Sequence, residues 1–323
     1  MPGLEGARVV VAGGAGFIGS HLVDQLLGGG AARVVVVDDL FLGKHDNLVE
    51  ASSHGDRFAF HREDARDFHA MAALCEQERP DVVFNLATRA LLYSFFNPVT
   101  ACRVNLDIAL SLCELLRTGA YGRLVHLSSS EVYGTAQRVP MDEDHPLLAE
   151  TTYAAGKAAA DLAVASYVRM FDVDACTIRP FNNYGPRQNE GAFAAVIPLT
   201  VKRILAGEAP VVEGDGSQTR DFTYVGDTAA AILRLASVEG VKGEVFNLGS
   251  GRETAILDVI KTIAGLLGYH GEIEQAPVRP ADVRRHWASV DRAEARIGTI
   301  AATSLEEGLK RTVDWYVGKV ATA

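Results

Sequence analysis

Cysteine is scarce. The four residues Cys75, Cys102, Cys113 and Cys176 fall in predicted strands or helices with no CxxC spacing, so neither a zinc site nor a disulfide framework is indicated and no metal is expected. They read as small buried hydrophobes of a reducing compartment. Basic charge is also in deficit: 31 Lys and Arg stand against 41 Asp and Glu, a net charge of −10. That excludes nucleic acid as the main partner, because such affinity comes from cations that neutralise phosphates. A local basic site for one small phosphorylated ligand remains compatible. No apolar run approaches the ~18–20 residues needed to cross a bilayer, and the first residues lack the charged, apolar and cleavage regions of a signal peptide. The expectation is a cytoplasmic protein with no membrane partner.

What the 323 residues do have is an ordinary core-forming composition and 31 glycines against 11 prolines. The length suits two domains, or one with an added lobe. Apolar β-branched runs without alternation predict strands buried on both faces near 8–12, 33–38, 57–61, 81–86, 122–128 and 173–179. Amphipathic helices are predicted near 17–28, 67–77, 98–117 and 151–171. This alternation describes a doubly wound α/β unit with a parallel sheet. After Pro180 the rhythm becomes loop-rich. A helix near 192–206, a return to the sheet near 225–249, helices near 255–267 and 304–319, and a polar loop near 277–286 complete a smaller, discontinuous lobe. The expected division is 1–180 with 223–250 for the sheet domain, and 181–222 with 251–323 for the lobe.

The glycines matter through their placement. Gly13, Gly16 and Gly19 form GxxGxxG between the first strand and the first helix, with Phe17 and Ile18 inside the loop. The first glycine permits a tight turn, the second lets backbone approach a pyrophosphate, and the third lets helix and strand pack closely. Asp38 ends the second strand, where a carboxylate accepts hydrogen bonds from the ribose hydroxyls and repels a 2′-phosphate, which favours NAD over NADP. Asp64 follows the third strand and is either an adenine contact or a solvated loop carboxylate.

Tyr153 and Lys157 lie four apart on a predicted helix and so share one face. An ammonium beside a phenol, with a cationic nicotinamide, brings the phenol towards the range of a working base. The preceding strand ends in Leu127-Ser128-Ser129-Ser130-Glu131-Val132-Tyr133-Gly134, which delivers hydroxyls at the carboxyl edge of the sheet.

With these residues assembled, the chain resembles the extended short-chain dehydrogenase/reductase family, in its nucleotide-sugar epimerase and dehydratase branch. The resemblance covers nearly the whole length and implies a Rossmann-type sheet with NAD as cofactor. It adds Ala87 and Asn105 to the cofactor set of Gly13, Gly16, Phe17, Ile18, Gly19, Asp38, Asp64, Tyr153 and Lys157. It implies that Ser129 binds the sugar 4-hydroxyl, that Tyr153 takes its proton, and that Lys157 holds the ribose and tunes the tyrosine. Asn182, Arg220, Arg279 and Asp282 are the implied contacts to a nucleoside-diphosphate sugar, and Arg187, which closely follows Asn182 in the chain, is expected beside the same nucleotide. The helices near 98–117 and 151–171 resemble those that pair in family homodimers.

Members of this branch share oxidation at C4 and then diverge. Glu131, two residues beyond Ser129, suits a base at C5, with Ser130 where many 4,6-dehydratases carry an acid. A 4,6-dehydratase therefore ranks first. A UDP-glucuronate decarboxylase, drawing on Arg284, Arg285 or His286 as an anion partner, ranks second, and a 4-epimerase follows closely. A non-catalytic nucleotide-binding protein on the same fold is a remote alternative. His126, Tyr133 and Phe181 read as core or pocket wall. Thr88, Arg89 and Tyr93 should pass over the ligands.

Overall fold

The computed structural model describes residues 4–191, 193–278 and 283–321. Strands β1 (Arg8–Ala12), β2 (Arg33–Val37), β3 (Phe58–His61), β4 (Val82–Asn85), β5 (Arg123–Leu127) and β6 (Ala175–Pro180) join the strand Val245–Leu248 in one sheet. Its spatial order is Val245–Leu248, β6, β5, β4, β1, β2, β3, and every pairing is parallel. The order reverses direction between β1 and β4, which opens a crevice at the carboxyl edge.

Both faces of this sheet are covered, which explains the unbroken valine runs. Val9 and Val11 pack with Leu22 and Leu26 of helix α1 (Phe17–Gly28) and with Ile232 and Leu235 of the helix Val225–Ser237. The alternate residues Val10 and Ala12 pack on the other face with Met71 and Leu112. Those two belong to α3 (Phe68–Glu78) and α4 (Pro98–Arg117), which follow the one-turn α2 (Val49–Ser52). Helix α5 (Thr152–Phe171) lies against α4 and starts where the Thr151 hydroxyl accepts from Ala154 N at 3.2 Å. That cap places Tyr153 in the first turn of α5 and Lys157 one turn later.

The lobe has its own core of Tyr184, Ile197, Val201, Phe222, Ile260, Leu309 and Tyr316. Its helices are Val196–Leu205, Ile256–Leu266 and Leu305–Ala321, joined by three short strand pairs. The helix Asp291–Ile297, absent from the sequence reading, packs on the sheet side through Ala293. Among the described residues no helix is long and apolar enough to cross a membrane.

Candidate active site

The crevice beside β1 is built by the glycine loop. Gly13 has φ +81°, and a Cβ there would lie 2.5 Å from Ala87 N, so neither the turn nor the spacing admits a side chain. A Cβ on Gly19 would stand 2.2 Å from the Gly13 carbonyl, which fixes the close approach of α1 to the loop. Gly16 differs: its Cβ would meet only the Gly13 oxygen, at 3.1 Å. Gly16 is the N-cap of α1 without a capping side chain, and Gly13, Gly16, Phe17, Ile18 and Gly19 all line the crevice. The missing side chain leaves a cradle at a helix N-terminus, where an anion is favoured.

Asp38 closes the next wall. Its carboxylate accepts from Ala15 N at 3.0 Å and from Leu40 N at 2.9 Å. Burial raises its pKa, while these two donors oppose the shift. Asp64 lines the same crevice, but Arg66 engages its carboxylate at 2.5 Å and holds it below the usual range. Ala87, Thr88 and Arg89 form the wall beyond β4. Asn105 is buried behind that wall: its Oδ1 accepts from Thr88 Oγ1 at 2.9 Å and from Arg89 N at 3.0 Å. It therefore shapes the wall from behind. A buried carboxylate, a side-chain-free cradle and a helix N-terminus in one crevice of about 310 Å³ fit a dinucleotide diphosphate and its ribose.

Ser129, Tyr153 and Lys157 line the far end of this crevice. Lys157 Nζ donates to the Leu127 carbonyl at 2.9 Å. Burial lowers its pKa to about 8, and the Asp161 carboxylate opposes that fall. Burial pushes the Tyr153 phenol up to about 12; the Ser129 and Thr88 hydroxyls beside it oppose the rise, and the Glu131 charge adds to it. A phenol this reluctant to ionise needs a nearby cation in order to act as a base.

Beneath α5 lies a buried polar network that sequence reasoning missed. Arg179 Nε donates to Asp161 at 2.9 Å and Arg179 Nη1 to Tyr133 Oη at 2.9 Å, and Tyr133 in turn donates to Asn247 Oδ1 at 2.7 Å. His126 lies 3.6 Å from Asp161 and meets Asn85 at 3.0 Å. Burial raises Asp161, but His126 and the Arg179 charge outweigh it and hold the carboxyl below its ordinary value. The available signal was spacing, since Asp161 is four residues after Lys157 on the same helix.

A second cavity, of about 530 Å³, is lined by Glu131, Asn182 and Arg220. Asn183 lines both cavities, so they adjoin. Ser129, the N-cap of the turn Ser130–Tyr133, and Glu131 within it thus line the two adjoining cavities. Ser130 does not share that position. It is buried, lines neither cavity, and its carbonyl meets His286 Nε2 at 3.2 Å, because the tight turn rotates it between its neighbours. Arg187, expected at the substrate, lines the dinucleotide crevice and pairs with Asp24 of α1 at 2.5 Å. Its backbone is left-handed, with φ +66°. Arg279 and Asp282 lie outside the described residues.

The family model for GDP-mannose 4,6-dehydratase matches residues 10–312. The chain is 37% identical to a UDP-glucose 4-epimerase of Mycolicibacterium smegmatis over 97% of this chain and 99% of that protein. It is 32% identical to UDP-glucuronic acid decarboxylase 3 of Arabidopsis thaliana, over 94% of this chain and 86% of that one. The crystal structure of the dTDP-glucose 4,6-dehydratase DesIV of Streptomyces venezuelae, with NAD bound, superposes with a TM-score of 0.91 at 30% identity, covering 98% of each chain.

Proposed function

The chain belongs to the GDP-mannose 4,6-dehydratase family of extended short-chain dehydrogenases/reductases, and from that premise we propose that it is an NAD-dependent nucleoside-diphosphate-hexose 4,6-dehydratase. The observation that carries this reading is Glu131. It lines the cavity of Asn182 and Arg220, and its charge acts on the Tyr153 phenol.

Gly13, Gly16, Gly19, Asp38 and Ala87 hold the dinucleotide, with Arg187 at the crevice rim. Bound NAD supplies the acceptor for the C4 hydride and, once reduced, the donor to C6, so turnover involves no net redox change. Tyr153 takes the 4-hydroxyl proton while Ser129 hydrogen-bonds that oxygen and the Lys157 ammonium favours the phenolate. The 4-ketone acidifies the C5 proton, which passes to Glu131. The electrons of the C5–H bond form the C5–C6 double bond, the C6–O bond breaks, and the departing hydroxyl takes a proton to leave as water. With Ser130 turned into the core, the carboxyl of Glu131 serves both transfers, accepting from C5 and delivering to O6. Once the hydride reaches C6, Glu131, reprotonated from solvent, returns a proton to C5, and the proton that Tyr153 took from the 4-hydroxyl is released to balance it. Asn182 and Arg220 bind the substrate diphosphate.

A 4-epimerase is the second reading. It is favoured by the burial of Ser130, which leaves the turn without a separate acid, and by the 37% identity to a 4-epimerase. A decarboxylase is less well supported, because Arg285 is engaged by Glu253 at 2.7 Å and His286 is buried. The exposed Val99, Leu110, Leu162 and Met170 on α4 and α5 support a homodimer paired through these helices.

The test is product mass after incubation with UDP-glucose, UDP-GlcNAc, UDP-glucuronate, dTDP-glucose and GDP-mannose. Loss of water supports dehydration. Unchanged mass with inverted C4, or loss of carbon dioxide, would replace this reading with epimerisation or decarboxylation.

A further inference from the structure

Residues 283–289 form a strap between the lobe and the catalytic turn. At its start the Val283 carbonyl accepts from Arg220 Nη1, and the Arg284 carbonyl accepts from Thr219 N at 3.0 Å. At its end Met141 N donates to the Trp287 carbonyl at 2.7 Å and Ser289 N to the Met141 carbonyl at 2.9 Å. Ala288 N donates to the buried Asp221 carboxylate at 3.2 Å. Between these anchors stands His286, fully buried, its ring 4.8 Å from that of Phe181, which lines the dinucleotide crevice.

Among the described residues the hydrogen-bond partner of the His286 ring is the Ser130 carbonyl, 3.2 Å from Nε2. A carbonyl can only accept, so Nε2 carries the proton and Nδ1 the lone pair. Nδ1 is buried without a partner among the described residues. Burial, with the Arg220 charge next, drives the pKa down to about 3, which keeps the ring neutral across the working pH range. The ring is therefore a fixed single donor, and the group it holds is the first residue of the turn that aims Ser129 and Glu131 into adjoining cavities.

We propose that His286 is a positioning residue: its Nε2–H fixes the Ser130 carbonyl and thereby the aim of Glu131, and the strap ties that turn to Arg220 at the diphosphate. This rests on the role given to Glu131 above. Displacing a reacting carboxylate by a fraction of its contact distance costs rate while leaving the binding groups in place. His286 acts on kcat and leaves KM alone.

The experiment compares wild type, His286→Phe, His286→Asn and Glu131→Gln with UDP-glucose and dTDP-glucose, using whichever the wild type turns over. Phe keeps the ring and its stacking but removes the donor; Asn restores an N–H. We expect His286→Phe to lower kcat by about 10- to 100-fold with KM, UDP affinity and Tm close to wild type, and His286→Asn to recover part of the loss. Wild-type kcat in His286→Phe beside an inactive Glu131→Gln overturns the proposal alone. So does an equal loss in both His286 variants that follows a fall in Tm, which marks a merely structural role. Full activity in Glu131→Gln instead overturns the reading on which the proposal rests.

Discussion

Lys157 donates from Nζ to the carbonyl oxygen of Leu127 at 2.9 Å, tying the helix that carries Tyr153 to the end of the strand that leads to Ser129. One hydrogen bond thus sets the distance between base and hydroxyl and spends a donor of the ammonium on the protein itself. Removing the phenol or the ammonium should be visible in rate. Tyr153→Phe and Lys157→Met are each expected to lower kcat by about 10²- to 10⁴-fold. Tyr153→Phe should retain cofactor and Lys157→Met should lose part of it, as read by nucleotide content after purification.

The buried ammonium also predicts a pH signature in the cofactor-free protein. The Lys157 pKa is lowered from 10.5 to about 8, so between those values the unfolded chain binds the extra proton and stability rises with pH. The penalty is fully present below about 8 and gone above about 10.5. Lys157→Met removes it, and the variant should be stabilised relative to wild type at pH 7, by an amount on the order of 3 kcal/mol, with the gap narrowing towards pH 10. Urea unfolding of both proteins at several pH values measures this.

The two loop glycines should fail differently. Gly16→Val fills the cradle and is expected to cost NAD affinity at least about 10-fold with little loss of Tm, because its backbone is not in the left-handed region. Gly19→Ala places a methyl 2.2 Å from the Gly13 carbonyl and should lower Tm as well as binding. Calorimetric titration with NAD beside thermal melts separates the two.

Asp161 and Arg179 are a buried ion pair, at 4% and 6% side-chain exposure. Asp161→Ala leaves the guanidinium unpaired and is expected to destabilise by about 3–5 kcal/mol, whereas replacing both partners by apolar residues costs less. Denaturant midpoints of the single and double variants test the difference.

The glycine loop and Asp38 were legible in the sequence because their constraints are local: a turn, a close approach and a strand end all occur within a few residues. Tyr153 and Lys157 were legible through helical spacing. Ser130 was not, since whether a residue in a 3₁₀ turn faces ligand or core depends on which element packs on that turn. Here it is His286, 156 residues away in the chain. Arg187 was assigned to the substrate on proximity to Asn182, but its partner Asp24 lies 163 residues earlier, and no local pattern records that pairing. The network of Asp161, Arg179, Tyr133 and Asn247 spans helix, strands and turn, so no local spacing links its members, and Tyr133 alone read as core or pocket wall.

The most direct test of the central claim is the reaction of wild type and Glu131→Gln, carried out in deuterium oxide on the nucleotide sugar that the wild type accepts, with products analysed by mass spectrometry. The account predicts a wild-type product lighter by one water and carrying deuterium at C5. Glu131→Gln should give no dehydrated product while its bound nicotinamide still becomes reduced. Dehydrated product formed by Glu131→Gln at the wild-type rate would contradict the account.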